Sequence, residues 1–286
     1  MFISIITPIY NRADLFERVY ESLKKQNNKN FEWIIVDDGS SDQLKEKVLS
    51  LDEKQFPLHY YYKENGGKHT ALNMGFEKAI SQWCLILDSD DWLLPTAIDD
   101  IYNEINNFSE SPSGLVFLKS YKDGQVIGKP IVDYGKLYAP QLISMKGDKA
   151  YVVKTELLKK IKFPQFEKEK FVTESYLWNQ CFDREENYAI GVNKIIYVAE
   201  YLPGGLTDNY YLLLKNSPQG TLDFVISNLT LNYVSLPCYK QAAYHFIPIA
   251  DKKNLTALYK NIGVTSFCKF IVTLMAMFIK IKMRKK

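Results

Sequence analysis

The sequence predicts an α/β fold: a mostly parallel sheet flanked by helices, with a helical extension at the C-terminal end. Three features predict it. Four times before residue 115, a short β-branched or aromatic run passes into a stretch with apolar residues at helical spacing. Each run empties into polar residues. From Asn209 onward the apolar residues, rich in Tyr and Leu, keep helical spacing alone, with breaks at Pro218, Pro237 and Pro248. The 286 residues, 47% apolar and 24% charged, suffice for a full globular core.

The first unit is Phe2-Ile3-Ser4-Ile5-Ile6-Thr7, halted by Pro8, then a helix over residues 12–25 with Leu15, Phe16, Val19 and Leu23 on one face. The second is Phe31-Glu32-Trp33-Ile34-Ile35-Val36, which empties into Asp37-Asp38-Gly39-Ser40-Ser41-Asp42 before a helix from about Gln43. Gly39 permits a tight turn there and the Ser/Asp cluster offers helix caps. The third strand, residues 58–63, leads through Asn65-Gly66-Gly67-Lys68-His69 into a helix over residues 71–80. The fourth, Trp83-Cys84-Leu85-Ile86-Leu87, runs into Asp88-Ser89-Asp90-Asp91, and Pro95 is expected to start a helix reaching about Phe108. Repeated units of this kind make a parallel sheet with right-handed crossovers. Open α/β sheets bind ligands at the carboxyl ends of their strands. The four polar clusters are therefore expected to line one rim.

Three carboxylates crowded at the end of an apolar strand repel one another. A divalent cation carrying phosphate oxygens would hold them together, since Mg²⁺ usually takes one or two protein carboxylates with phosphates and waters. The rim thus reads as a metal and nucleotide-diphosphate site; a solvated acidic turn is the alternative for this segment taken alone. Lys68, beside two glycines that let backbone approach closely, is either a phosphate contact or a solvated loop lysine. His69 is expected to cap or pack rather than to bind metal.

Residues 115–121 read as a strand, Lys122-Asp123-Gly124 as a hairpin turn and residues 126–128 as its partner. Residues 129–147 are expected to be an irregular loop over the site. A strand over 150–154 and a helix capped by Thr155 follow. Further on, a helix capped by Thr173 is expected to hold Glu174 in its first turn. A strand over 194–199 leads to a flexible turn at Leu202-Pro203-Gly204-Gly205-Leu206-Thr207.

The tail is distinct. Residues 270–279 are uncharged and apolar save for Thr273, preceded by Lys269 and followed by Lys280, Lys282, Arg284, Lys285 and Lys286. About twenty apolar residues span a bilayer, so an interfacial helix anchored on anionic lipid is expected, with packing on a partner subunit as the alternative. The chain carries a net charge of +3, yet residues 264–286 hold six basic residues and no acid. The rest of the chain is acidic, which argues against a nucleic-acid groove. Cys84, Cys181, Cys238 and Cys268 form no close pair of the zinc or redox kind and suit a reducing cytosol. The first apolar run has no basic region ahead of it and reads as a strand, not a signal peptide.

Thr7-Pro8-Ile9-Tyr10-Asn11-Arg12, Val36-Asp37-Asp38-Gly39-Ser40-Ser41-Asp42, Asn65-Gly66-Gly67-Lys68-His69-Thr70-Ala71-Leu72-Asn73 and Leu87-Asp88-Ser89-Asp90-Asp91 together resemble the family 2 glycosyltransferases of GT-A fold. The blocks occur in that family's order and spacing over about residues 1–115. The resemblance implies that Thr7, Pro8, Tyr10, Asn11, Arg12, Asp37, Asp38, Gly67, Lys68, Asp88, Ser89, Asp90 and Asp91 bind a nucleotide-sugar donor. Asp38, more than Asp37, would pair with the base. It implies Mn²⁺ or Mg²⁺ held by Asp90 and Asp88. The family places an acidic catalytic base at the start of a helix, often as Glu-Asp. This chain has Glu174-Ser175, so Glu174 is the match, a plain helix-dipole glutamate the alternative, and Asp148 the reserve.

The resemblance implies inverting transfer of one sugar from a UDP-linked donor to a hydroxyl of a glycan or lipid-linked glycan, as in bacterial cell-surface glycan synthesis. The Gln-x-x-Arg-Trp motif and transmembrane helices of the processive synthases are missing, which favours single transfer over polymerisation. Residues 1–115 and 116–208 are expected as the donor and acceptor halves, 209–263 as a helical extension, and 264–286 as a tail holding the enzyme on the cytoplasmic membrane face. Two rivals stand beside this reading. A sugar-nucleotide nucleotidyltransferase needs a Gly-rich basic loop after the first strand, where this chain has Pro8 to Arg12. The other is a catalytically silent glycan- or nucleotide-binding scaffold.

Overall fold

The computed structural model describes residues 1–108, 111–132, 135–202 and 204–284, with side chains described to Met277. The first half alternates β1 (Ile3–Ile9), α1 (Phe16–Lys24), β2 (Phe31–Asp37), α2 (Leu44–Leu49), β3 (Leu58–Tyr62), α3 (Lys68–Lys78), β4 (Trp83–Ile86), β5 (Trp92–Leu93) and α4 (Ala97–Asn106). There follow β6 (Gly114–Ser120), β7 (Lys136–Leu137), α5 (Ala139–Ser144), β8 (Lys149–Lys154), α6 (Thr155–Lys160), α7 (Ser175–Cys181) and β9 (Ala189–Val198). The chain then continues as α8 (Tyr210–Asn216), α9 (Pro218–Leu229), α10 (Leu236–Phe246) and α11 (Lys252–Arg284).

Among the described residues nine strands form one mixed sheet, ordered β3-β2-β1-β4-β8-β6-β9-β5, with β7 also on β9. Strands β1 to β4 are mutually parallel as expected. The sheet then turns mixed, because β8 inserts antiparallel between β4 and β6. Alternation along the strands sets two cores. Ile3, Ile5, Trp33, Ile35, Trp83 and Leu85 face α1, α2 and α4; Ile6, Ile34, Val36, Cys84 and Ile86 face α3, α6 and α7. Both faces of the parallel half are covered, which explains why β1, β2 and β4 read as continuous apolar runs.

Several local expectations fail for identifiable reasons. The helix expected from Pro95 begins at Ala97, because the short β5 and a turn occupy Trp92 to Thr96. Thr155 does not cap α6 but is its first residue, and its hydroxyl donates to the Ser81 carbonyl at 2.6 Å. Residues 129–147 are not simply irregular: β7 and α5 lie within them and bury Leu137 and Ala139, while residues 133 and 134 lie outside the described residues. The hairpin partner of β6 is reduced to one bridge, Ser120 to Val126. The expected turn after β9 has a Gly204 N–H donating to Asp208 at 2.9 Å, and Pro203 lies outside the described residues.

Helices α9, α10 and α11 form a third core around Phe246, Leu258, Ile262, Phe270 and Leu274. This core is tied to the sheet domain through polar groups. The Asn179 side chain of α7 donates to Asn228 at 2.7 Å, and Asn228 donates to Gln241 at 2.7 Å, all three on facing helices. The tail boundary expected at 264 coincides with a break at Gly263, whose φ of 73° interrupts α11. Beyond it the helix is not free. Phe270 is buried edge-on against Phe246, with ring centroids 5.4 Å apart, while Val264, Val272 and Met275 face outward. The side chains of Lys280, Lys282 and Arg284, and all of Lys285 and Lys286, lie outside the described residues. No described helix is long and apolar enough to cross a membrane.

Candidate active site

The rim loops are stitched to one another before any ligand is considered. The Asn11 backbone N–H donates to Ser40 Oγ at 2.9 Å, and its side-chain oxygen accepts the Ser41 N–H at 2.8 Å. Gly39, at φ +82°, lies so close to the third loop that a Cβ would sit 2.6 Å from the Asn65 nitrogen. Gly67, at φ +93°, is pressed onto the segment before α7: a Cβ there would sit 2.0 Å from the Lys170 carbonyl oxygen. Glycine is required at both positions by backbone angle and by space.

This stitching absorbs several residues expected to touch the donor. Thr7 is sealed inside the sheet, where its hydroxyl accepts the Trp33 indole N–H at 2.9 Å. Pro8 is likewise buried, in register with Val36. Asp37 spends its oxygens on the Ser40 N–H and the Tyr60 hydroxyl, at 2.7 and 2.6 Å. Asp38 accepts from Lys63 and the Gly66 N–H on one oxygen, and from Asn65 and the Gly67 N–H on the other, at 2.7 to 3.3 Å. A carboxylate has about four acceptor positions, and those of Asp38 are taken by donors that hold the third loop. Ser89 is buried, Tyr10 is exposed at the mouth of the rim, and Asn11 is engaged as described.

The acids after β4 take three different partners. Asp90 pairs with the Arg12 guanidinium across the gap between the first and fourth loops. Its backbone carbonyl accepts from Arg18 of α1, which also pairs with Glu200 and lies 4.9 Å above the Trp92 ring. Asp91 is 5% exposed, and its carboxylate accepts the Glu200 N–H at 2.9 Å. Burial, and then the Asp88 charge, push its carboxyl up to about 7. Asp88 pairs with Lys68 at 2.6 Å. Burial works against the Asp88 charge, but Lys68, Lys119 and Arg12 outweigh it and hold the carboxyl below its ordinary range.

Lys68 is where the two halves of the site meet. It is the first residue of α3, not a loop residue, and its ammonium contacts both Asp88 and Glu174. Burial alone would lower its pKa; the Asp88 and Glu174 carboxylates outweigh that and raise it. Glu174 does not lie inside a helix capped by Thr173. It is itself the residue before α7, makes no capping bond, and is thereby free to reach Lys68. Its side chain is 37% exposed, so it opens on solvent as well as on the acids.

The segment carrying Glu174 is positioned from both sides. Asn73 of α3 clamps Phe163 by donating to its carbonyl and accepting its N–H, each at 2.9 Å. Glu169 accepts the Gln219 and Gly220 N–H groups, at 2.9 and 2.8 Å, which fills the open amides at the start of α9. Thr173 is bonded to Tyr210 at 2.9 Å, and Tyr210 to His245 Nε2 at 2.8 Å. Since His245 Nδ1 lies 2.8 Å from the Gln241 carbonyl, which only accepts, Nδ1 carries a proton. Asp148, the reserve base, is exposed and takes the Tyr201 hydroxyl at 3.2 Å. His69 packs as expected: it is buried with its ring edge-on to Phe163, and burial lowers its pKa to about 4.

Sequence reading missed Arg18, Lys119, Tyr197 and Glu200. Glu200 had a signal, being the polar residue after an apolar strand, the same pattern that marked Asp88. Lys119 sits inside β6, its ammonium 4.2 Å above the Tyr197 ring, and Arg18 lies mid-helix; nothing in their spacing sets them apart.

The donor set fits a divalent cation in one specific way. No group of three or more metal-binding side chains occurs among the described residues. Asp88 and Asp90, however, each pair through one oxygen and keep the other without a protein partner among the described residues. Two carboxylate oxygens completed by diphosphate and water suit Mg²⁺ or Mn²⁺.

The mixed sheet flanked by helices, with acids after its fourth strand, has the GT-A fold. Residues 4–138 match the model of Glycosyl transferase family 2, and over that stretch the chain belongs to the family. It is 26% identical over 278 residues, 90% of this chain and 86% of the relative, to the GalNAc(5)-diNAcBac-PP-undecaprenol beta-1,3-glucosyltransferase of Campylobacter jejuni. Among solved structures it is similar in fold to S. aureus TarS 1–349 in complex with UDP-GlcNAc (TM-score 0.67, 18% identity, 92% of this chain and 82% of that one). It is also similar to the mannosyltransferase PcManGT from Pyrobaculum calidifontis in complex with GDP-Man and Mn²⁺ (TM-score 0.58, 18% identity, 97% and 80%). The chain spans only 18% of the length of the first curated relatives it matches, over a shared stretch of 108 residues.

Proposed function

We propose that the protein transfers a single sugar, with inversion, from a UDP-linked donor to a hydroxyl of a glycan or lipid-linked glycan. The observation that carries the reading is the Lys68 ammonium between Asp88 and Glu174, which sets a donor-side acid and a candidate base on one cleft. The relative of Campylobacter jejuni, whose name specifies an undecaprenol-linked substrate, supports a lipid-linked acceptor. The UDP-GlcNAc complex of TarS supports UDP.

In this mechanism Arg12 and Lys68 hold the diphosphate, Tyr10 covers the open side, and Asp88 and Asp90 align the donor. A divalent cation on the unengaged oxygens of Asp88 and Asp90 would supply charge stabilisation as the diphosphate leaves. Glu174 takes the proton of the acceptor hydroxyl as that oxygen attacks the anomeric carbon from the face opposite the diphosphate. The stitched loops and the clamped 163–174 segment supply the orientation, so little rearrangement is needed when both substrates bind. The exposed Val264, Val272 and Met275, followed by the basic end of the chain, would hold the enzyme on an anionic cytoplasmic membrane face near such acceptors.

The test is a panel of radiolabelled UDP- and GDP-sugars, with a bacterial lipid extract as acceptor and Mn²⁺ or Mg²⁺ present. Transfer from a UDP-sugar, stopped by EDTA, is expected. Transfer from GDP-sugars alone, or undiminished by EDTA, would remove the corresponding part of the reading. No transfer from any donor would favour a binding scaffold.

A further inference from the structure

We propose that Lys68 is a positioning residue that ties donor occupancy to the release of Glu174, so that the base turns to the acceptor only once a diphosphate has drawn Lys68 away. The proposal rests on the function set out above.

Asp88 and Glu174 each have one ion pair among the described residues, both with Lys68, but they are anchored differently. The Asp88 backbone N–H donates to the Tyr197 hydroxyl at 2.9 Å, and the Lys119 charge also acts on its carboxylate. Glu174 stands before α7 and makes no capping bond. When Lys68 moves to a diphosphate oxygen, Asp88 keeps the Lys119 charge and its backbone bond to Tyr197, whereas Glu174 loses its ion-pair partner among the described residues. The backbone under Lys68 does not follow the side chain. It is fixed by the close approach of Gly67 to Lys170, on the same segment that carries Glu174. The exchange is therefore a swing of one flexible ammonium from a carboxylate to a diphosphate, at a place open to solvent: the Lys68 and Glu174 side chains are 26% and 37% exposed. A diphosphate offers more negative charge than one carboxylate, so the donor wins the contest. An empty enzyme keeps its base pinned to the donor side, which makes donor-first binding a property of the site.

Competition for one ammonium has a signature in binding that does not depend on turnover. UDP with Mn²⁺ is titrated calorimetrically into the wild type, E174Q, K68M, K68R and the two double variants. Removing the Glu174 charge should tighten UDP by about threefold to tenfold in the wild-type and K68R backgrounds, and the gain should vanish in K68M. Plain repulsion between Glu174 and the diphosphate predicts the opposite, a gain that persists or grows in K68M, and that result overturns the proposal. No gain in any background also overturns it. Should K68M fail to fold, a crystal structure of the wild type with UDP decides: Lys68 Nζ within hydrogen-bond distance of a diphosphate oxygen and off Glu174 supports the exchange, and Lys68 still on Glu174 refutes it. If the wild type binds neither UDP nor GDP, the donor reading itself falls and the coupling falls with it.

Discussion

Asn73 to alanine should cost the protein more than its small change in volume suggests. The Asn73 side chain is 6% exposed and its amide closes a two-bond ring with the backbone of Phe163, itself 2% exposed. Both bonds are 2.9 Å long and join positions 90 apart in sequence. Truncation leaves a buried N–H and a buried carbonyl without partners, each worth roughly 1–3 kcal/mol. Allowing for partial relaxation, a loss of about 2–4 kcal/mol in unfolding free energy is expected. Urea unfolding measures it as a lowered midpoint at unchanged slope. Because the clamp holds the segment leading to Glu174, transfer should fall by more than nucleotide affinity does. A loss below about 0.5 kcal/mol, the range of an ordinary surface substitution, would refute the reasoning.

His69 and His245 are both buried, and burial lowers each pKa to about 4. The unfolded imidazoles titrate near 6.5, so their stability is present above that pH and is lost progressively as pH falls toward 4. Each site contributes on the order of 3 kcal/mol at most. H245N should make the decline between pH 6.5 and 4 shallower in denaturant titrations, and an unchanged slope would contradict the assignment. F270A should destabilise the helical extension by about 3–5 kcal/mol, since a fully buried ring is lost from the third core. Truncating the tail is therefore a poor test of membrane binding. Changing Lys280, Lys282, Arg284, Lys285 and Lys286 to Gln should leave thermal stability unmoved and weaken flotation with anionic vesicles; equal flotation would exclude the anchor.

The sequence made the parallel half of the fold legible because β1, β2 and β4 are buried on both faces and every strand there ends at a charged loop. Runs such as Trp33 to Val36 and Trp83 to Ile86 carry that information locally. The antiparallel insertion of β8 was not legible, since it depends on which edge β4 offers once the first four strands have assembled. At the site, residue type gave the chemistry but not the assignment of partners. Asp38 and Asp90 look alike in sequence. Loop closure fills one with its own backbone donors and leaves the other with an unengaged oxygen. The helix after Thr173 starts one residue later than its spacing suggests, so Glu174 stands before α7 rather than in its first turn and its carboxylate makes no capping bond. Lys119 and Arg18 matter through long-range packing, which no spacing rule reports.

The central claim is that Glu174 acts on the acceptor while the rim acids act on the donor. It is tested most directly by E174Q, measured in single turnover with the donor that the panel identifies. Nucleotide binding should be retained or tightened while sugar transfer drops about 10²–10⁴-fold, the usual contribution of a general base. An E174Q enzyme that transfers sugar at close to the wild-type rate would contradict the account.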